Sequence, residues 1–149
     1  MILAIAIFIY TLLALLAVRI YAEREAILDF KKIIADGSKN SLKGKFHDKG
    51  FIRRAAIAGV FGLPIVLYSF WLFVVYWILS AFIFWYFFQP KLNTLRGLPA
   101  NYVGETAKID KFFQRFPNPS DVILSVKVTG MVVFGMLYCL ILIFKLNIL

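Results

Sequence analysis

The sequence predicts an all-α, polytopic transmembrane protein, and three observations carry the prediction: composition, the clustering of charge, and the length of the uncharged runs. Of the 149 residues, 62% are hydrophobic and 17% charged, with a mean hydropathy of +0.83. An ordinary globular domain has about 45–50% apolar and about 25% charged residues. Fifteen of the 17 Lys and Arg lie between Arg19 and Arg54 or between Lys91 and Arg115. Three apolar blocks remain, 2–18, 55–88 and 122–144, and the last holds a single charge, Lys127. A crossing helix needs about 20 predominantly apolar residues. The outer blocks therefore predict one crossing each, over 2–20 and 122–146.

The middle block is too long for one crossing. Its 34 residues would measure about 51 Å as a helix, against a hydrocarbon core of about 30 Å, and the tilt needed exceeds the usual limit of about 40°. The length predicts a membrane hairpin of helices over 52–67 and 70–88, turning near Pro64, Tyr68 and Ser69, for four membrane helices in all. Tyr68 and Trp71 would then meet one interface and Trp85 and Tyr86 the other, as amphipathic rings prefer. The alternative is a single helix, kinked at Gly62 and Pro64, that projects from the bilayer.

Loop charge sets the orientation, because short loops rich in Lys and Arg stay on the cytoplasmic side. The first, 19–54, has ten Lys/Arg against five acids, and the second, 89–121, has five against three. In the hairpin arrangement both face the cytoplasm and both termini face outward. The first block lacks a positive n-region, and its first cation, Arg19, follows the apolar run. It reads as a retained anchor rather than a signal peptide. Cys139 is the single cysteine, so no intrachain disulfide forms, and its position in the last block predicts a small buried hydrophobe.

Between the first span and the middle block, 22–54 reads as a basic amphipathic helix followed by a loop. Ala26, Ile27, Phe30, Ile33 and Ile34 recur at helical spacing, with Gly37 as a stop signal. Asp29 and Lys32 are placed to pair on the polar face. The stretch from Gly37 to Gly50 reads as a loop against the headgroups. His47 and Asp48 are adjacent and no second His exists, so neither a metal nor a cofactor is expected.

In the second loop, 89–121, Gln89-Pro90 predicts the end of the aromatic helix, and Gly97-Leu98-Pro99 and Pro117-Asn118-Pro119 predict turns. Between the turns, 106–116 reads as a short interfacial helix. Thr106 is its N-cap, with Ile109, Phe112, Phe113 and Phe116 on one face and Lys108, Lys111 and Arg115 on the other. Aromatic and basic faces back to back suit a segment lying among anionic headgroups. These residues, with Arg53 and Arg54, are the expected lipid-binding set. The competing reading packs the same Phe face on the bundle or on another subunit.

The run 84–113 resembles a pattern of uncharacterised small integral membrane proteins of Bacteroidota and their bacteriophages. The matching positions are Phe84, Trp85, Leu92, Asn93, Arg96, Gly97, Tyr102, Gly104, Thr106, Ala107, Lys108, Asp110 and Lys111. The sequence departs from it at Gln89-Pro90, where an acidic residue is expected before the proline. The resemblance covers about a fifth of the chain. It implies membrane residence and a phage connection, and it transfers no activity.

Catalytic chemistry has little to work with. The one His lies in a basic loop without a matched nucleophile, and no P-loop, Gly-rich fingerprint or Cys/His cluster is present. Ionisable groups at depth mark transporters. Lys127 is the one candidate, and its four-carbon stem predicts snorkelling to the interface. The net charge of +9 favours anionic lipid, with nucleic acid a partner only if the basic loops face a packaged genome. Ala55 with Gly59 and Ala58 with Gly62 are small residues four apart, the spacing of close helix contacts. The aromatics between Phe70 and Phe88 point in too many directions for one subunit to cover, which predicts a homo-oligomer or larger assembly.

The function expected is therefore a non-enzymatic membrane protein that scaffolds or anchors an assembly, phage-encoded or in a virion, in a bacterial inner membrane or the internal membrane of a virion. The alternatives are a holin-like pore or small channel and an accessory subunit of a bacterial membrane complex. A pore needs a polar stripe, and the spans offer Thr11, Ser69, Ser80, Ser125 and Thr129.

Overall fold

The structure, a computed structural model, describes residues 2–35, 45–104 and 108–148, with side chains for all of these except 45–52, 55, 108, 109 and 146–148. Among the described residues the fold is all-helical: α1 (Ile2–Ala35), α2 (Lys45–Tyr68), α3 (Phe70–Leu95), α4 (Lys108–Phe113) and α5 (Pro119–Ile148). Three of them, α1, α3 and α5, are long and apolar enough to cross a membrane. The apolar part of α2, Ala56–Tyr68, is shorter.

The third helix is central and packs against α1, α2 and α5. Its partners fix the directions. Gly62 of α2 faces Tyr76 and Phe73, and Gly59 faces Trp77, so α2 and α3 run antiparallel from the break at Ser69. That residue is extended (φ −162°, ψ 122°) and its hydroxyl accepts from the Leu72 amide, capping α3. The α1 helix runs parallel to α3, and α5 antiparallel, with Phe82 stacked on Phe134 at 5.8 Å. The core at the turn end gathers Ala4, Ile7, Ala14, Ile65, Leu72, Tyr76, Tyr138 and Leu142.

Small residues allow this packing. A Cβ on Gly62 would lie 2.6 Å from the Tyr76 ring, and Ala58 is buried beside it. The small residues of α2 thus make an intramolecular contact with α3. Gly130 of α5 likewise faces the Phe82 ring, where a Cβ has no room.

Several expectations are corrected. The aromatic helix does not end at Gln89-Pro90: α3 runs on to Leu95. Proline at 90 removes one rung of the ladder without stopping the helix, and Thr94 Oγ1 bonds the Pro90 carbonyl. The stop comes at Gly97 (φ 71°), where Leu98 N–H reaches Asn93 O at 2.9 Å and Gly97 N–H reaches Thr94 O at 3.0 Å, a Schellman termination. The interfacial helix expected over 106–116 is described as helical over Lys108–Phe113. Cys139 is exposed on α5, because the buried face of that helix follows Ile123, Lys127, Tyr138 and Leu142. The expected apolar stripe beyond Arg19 is also rotated. Ala22, Glu25, Ala26, Asp29 and Ile33 face inward, while Ile27 and Ile34 are exposed. The loop expected from Gly37 to Gly50 is helical over 45–50, where α2 has already begun; its part 37–44, the N-cap Thr106, and the side chains of His47, Asp48, Ala55, Lys108 and Ile109 lie outside the described residues.

Candidate functional site

Six consecutive residues of α3, from Phe84 to Gln89, collect a cation from each of the other three long helices. The α-helical repeat points successive rings in different directions, so each neighbour finds its own ring. From α1, the Arg19 guanidinium lies 4.7 Å from the Phe87 centroid. From α2, Arg54 lies 4.3 Å from Phe88 and 5.5 Å from Phe84. From α5, Lys127 Nζ lies 4.9 Å from Trp85. Such contacts are worth about 0.5–1 kcal/mol when exposed and about 2 when desolvated.

Two polar networks complete the belt. On one side α1 supplies the buried acids Glu25 and Asp29. Arg53 bonds Glu25, and Arg54 bonds Asp29 and approaches Glu25 at 3.6 Å. Lys32 adds a contact to Asp29 at 3.4 Å. The spacing of Glu25 and Asp29, one helical turn apart, and the adjacent Arg53-Arg54 pair explain how two helices clamp together.

On the other side Lys127, 3% exposed, donates to Gln89 Oε1 at 2.7 Å. The same oxygen accepts from Trp85 Nε1 at 3.0 Å. Gln89 Nε2 and Asn93 Nδ2 then donate to the Tyr102 carbonyl at 3.0 and 2.9 Å, and Asn93 also reaches the Ala100 carbonyl. Gln114 Nε2 donates to the Val103 carbonyl. Two side-chain amides of α3 thus tie the Ala100 and Tyr102 carbonyls onto its end, and Gln114, just after α4, ties down Val103, supplying donors that an irregular segment otherwise lacks. Lys127 is therefore turned inward to an amide and an indole face rather than snorkelling to headgroups.

The expected lipid-binding residues separate in space. Arg54 is taken into the ion cluster with its side chain 12% exposed, while Arg53 stays half exposed. Lys111, Phe112, Arg115 and Phe116 are exposed, whereas Phe113 is buried with Val103 and Ile123 and packs near Trp85. The Phe face is thus divided, one ring on the bundle and two outside. Glu25, Asp29, Gln89 and Asn93 were absent from the sequence reading of the site.

Three of the residues behind the resemblance have a structural role. Asn93 holds the loop, Gly97 adopts a left-handed φ, and a Cβ on Gly104 would meet the Asp110 carboxylate at 2.6 Å. Among the described residues, no three His, Cys, Asp or Glu side chains are grouped to hold a metal. No protein-family model, curated protein or solved structure matches the chain.

Proposed function

We propose that this protein is a non-enzymatic scaffold or anchor for a membrane-bound assembly, with α2 and α3 forming a hairpin in the bilayer so that four helices are embedded. The observation that supports it most is the inversion of polarity across the bundle. Outward faces carry exposed Leu, Ile, Val and Phe along α1 and α5, among them Leu3, Leu13, Ile20, Val132, Met136 and Phe144. Polar residues on α1, on α3 and at the break before it point inward: Thr11, Ser80 and Ser69 are buried. Thr11 bonds the Ile7 carbonyl and Tyr138, and Ser80 the Trp77 carbonyl. Such a surface suits lipid and neighbouring apolar helices, and it consumes the hydroxyls that a pore would line. Ser125 and Thr129 are exposed, too few for a continuous polar lane.

The paired Glu25/Asp29 and Arg53/Arg54 favour a rigid frame, since they fix α1 to α2 by charge. The assembly we envisage is that of a phage-encoded membrane or virion membrane, supported by the resemblance over residues 84–113. Native mass spectrometry of protein released gently with its lipids tests the reading. A defined hetero-assembly is expected. A homo-oligomeric ring that conducts ions would replace the scaffold with the pore, and a monodisperse monomer in both detergent and nanodiscs would remove the assembly.

A further inference from the structure

The first helix is longer than its crossing requires. Its uncharged run ends at Val18, yet α1 continues to Ala35. At 1.5 Å per residue, Ile27 and Ile34 stand about 12 and 22 Å past Arg19 along the helix axis. The headgroup layer on one side of a bilayer is about 5–8 Å deep, so both isoleucines clear it, and they do so even at a tilt of about 40°. The outward face of this extension is regular. Ile20, Ile27 and Ile34 recur every seven residues and are exposed, and the exposed Arg24 and Lys31 lie between them. At about 100° per residue, all five fall within an arc of about 80°. That arc lies opposite Ala22, Glu25, Ala26, Asp29 and Ile33, which face the bundle.

The stripe is both apolar and positive. The acids of the same segment are engaged elsewhere: Glu25 and Asp29 hold Arg53 and Arg54, and Glu23 meets Arg19 at 3.4 Å. The connection 36–44 brings one apolar side chain, Leu42, too little to cover three isoleucines. Acyl chains end below Ile27. A second copy paired in parallel would set Arg24 and Lys31 against themselves, between chains that each carry +9, and like charges across an interface oppose binding. An acidic amphipathic helix matches both halves of the stripe. Its apolar residues at seven-residue spacing pack on the isoleucines, and Glu or Asp between them meet Arg24 and Lys31.

We propose that the stripe Ile20, Arg24, Ile27, Lys31 and Ile34 is a docking face for an acidic amphipathic helix of another protein, which α1 holds just outside the bilayer. The proposal rests on the scaffold reading and names the chemistry of what is scaffolded. The test places a benzophenone side chain at position 27 of the full-length protein in its native membrane, followed by gentle release and native mass spectrometry. The expected adduct is a second protein whose cross-linked peptide is acidic and carries apolar residues at helical spacing. Arg24→Glu combined with Lys31→Glu is expected to lower the partner's occupancy at least about tenfold, and so is raising salt from about 0.05 M to about 0.5 M. Both side chains face away from the bundle, so the thermal unfolding midpoint of the double variant stays at the wild-type value. A retained partner whose occupancy the charge reversal leaves unchanged overturns this docking face and leaves the scaffold standing. Adducts at position 27 only with lipid or with a second copy, beside a partner retained elsewhere, do the same. A chain released with no other protein removes both.

Discussion

The two ends of this bundle are held by different chemistry. Near the turn at Ser69, helices are joined by neutral groups: Tyr10 donates to the Phe61 carbonyl at 2.7 Å, and Thr11 pairs with Tyr138. At the loop end, the same helices are joined by ions: Glu25 and Asp29 with Arg53 and Arg54, and Lys127 with Gln89. The difference follows the cost of charge in hydrocarbon. An ionised side chain at the bilayer centre costs at least about 2.5–3.5 kcal/mol, whereas a hydroxyl that bonds a backbone carbonyl satisfies itself. In the proposed four-helix arrangement, the change from hydroxyls to ions places the end of the hydrocarbon at the level of Arg19, Arg54, Gln89 and Lys127.

Removing groups from each end sharpens that contrast. Arg54→Leu strands Asp29 and takes a cation from Phe84 and Phe88. Loss of one partner of a buried ion pair costs about 3–5 kcal/mol, and the low end is expected here because Arg53 and Lys32 remain near the acids. Thermal unfolding in one detergent, compared with wild type, reads the loss. Gly62→Ala places a methyl against the Tyr76 ring and is expected to cost about 1–3 kcal/mol by overpacking; the shift in the same unfolding curve measures it. If that substitution is neutral, the contact between α2 and α3 is looser than the structure has it.

Smaller effects test the ends separately. Tyr138→Phe removes one hydroxyl partner of Thr11 and is expected to cost about 1 kcal/mol, clearly less than Arg54→Leu. An inverted order would mean that the ions are solvated rather than enclosed. Gly97→Ala forces a methyl onto a φ of 71° and is expected to cost about 1 kcal/mol or less. Its signature is local: faster amide exchange at Leu98, whose bond to Asn93 closes α3, with little change around Thr11.

The sequence revealed the helices better than the belt. Uncharged blocks and their lengths are properties of composition, so the long apolar helices and the interruption at Ser69 were legible from hydropathy and length. The stop at Gly97 was visible as a turn, but the helix running through Pro90 was not, because proline in a packed helix is tolerated when neighbours re-satisfy the freed groups. Burial of Glu25 and Asp29 was hidden for a similar reason. Periodicity assigns faces by hydrophobicity, and an acid counts as outward until its partner is known. Glu25 and Asp29 one turn apart, facing an Arg-Arg pair in the next helix, were the available signal. Lys127 was conspicuous, but its partner Gln89 is 38 residues away in sequence, and only the antiparallel packing of α3 and α5 brings them together.

The central claim is that the belt lies at one bilayer boundary, with both basic connections on the same side. Single cysteines at Asn40 and Asn101, and a third at Phe70 near the turn, placed in a Cys139→Ser background, test it most directly in sealed vesicles of known orientation. A membrane-impermeant maleimide is predicted to label positions 40 and 101 from the same face and position 70 from the other. Labelling of positions 40 and 101 from opposite faces would contradict the account, because α2 and α3 would then make a single crossing.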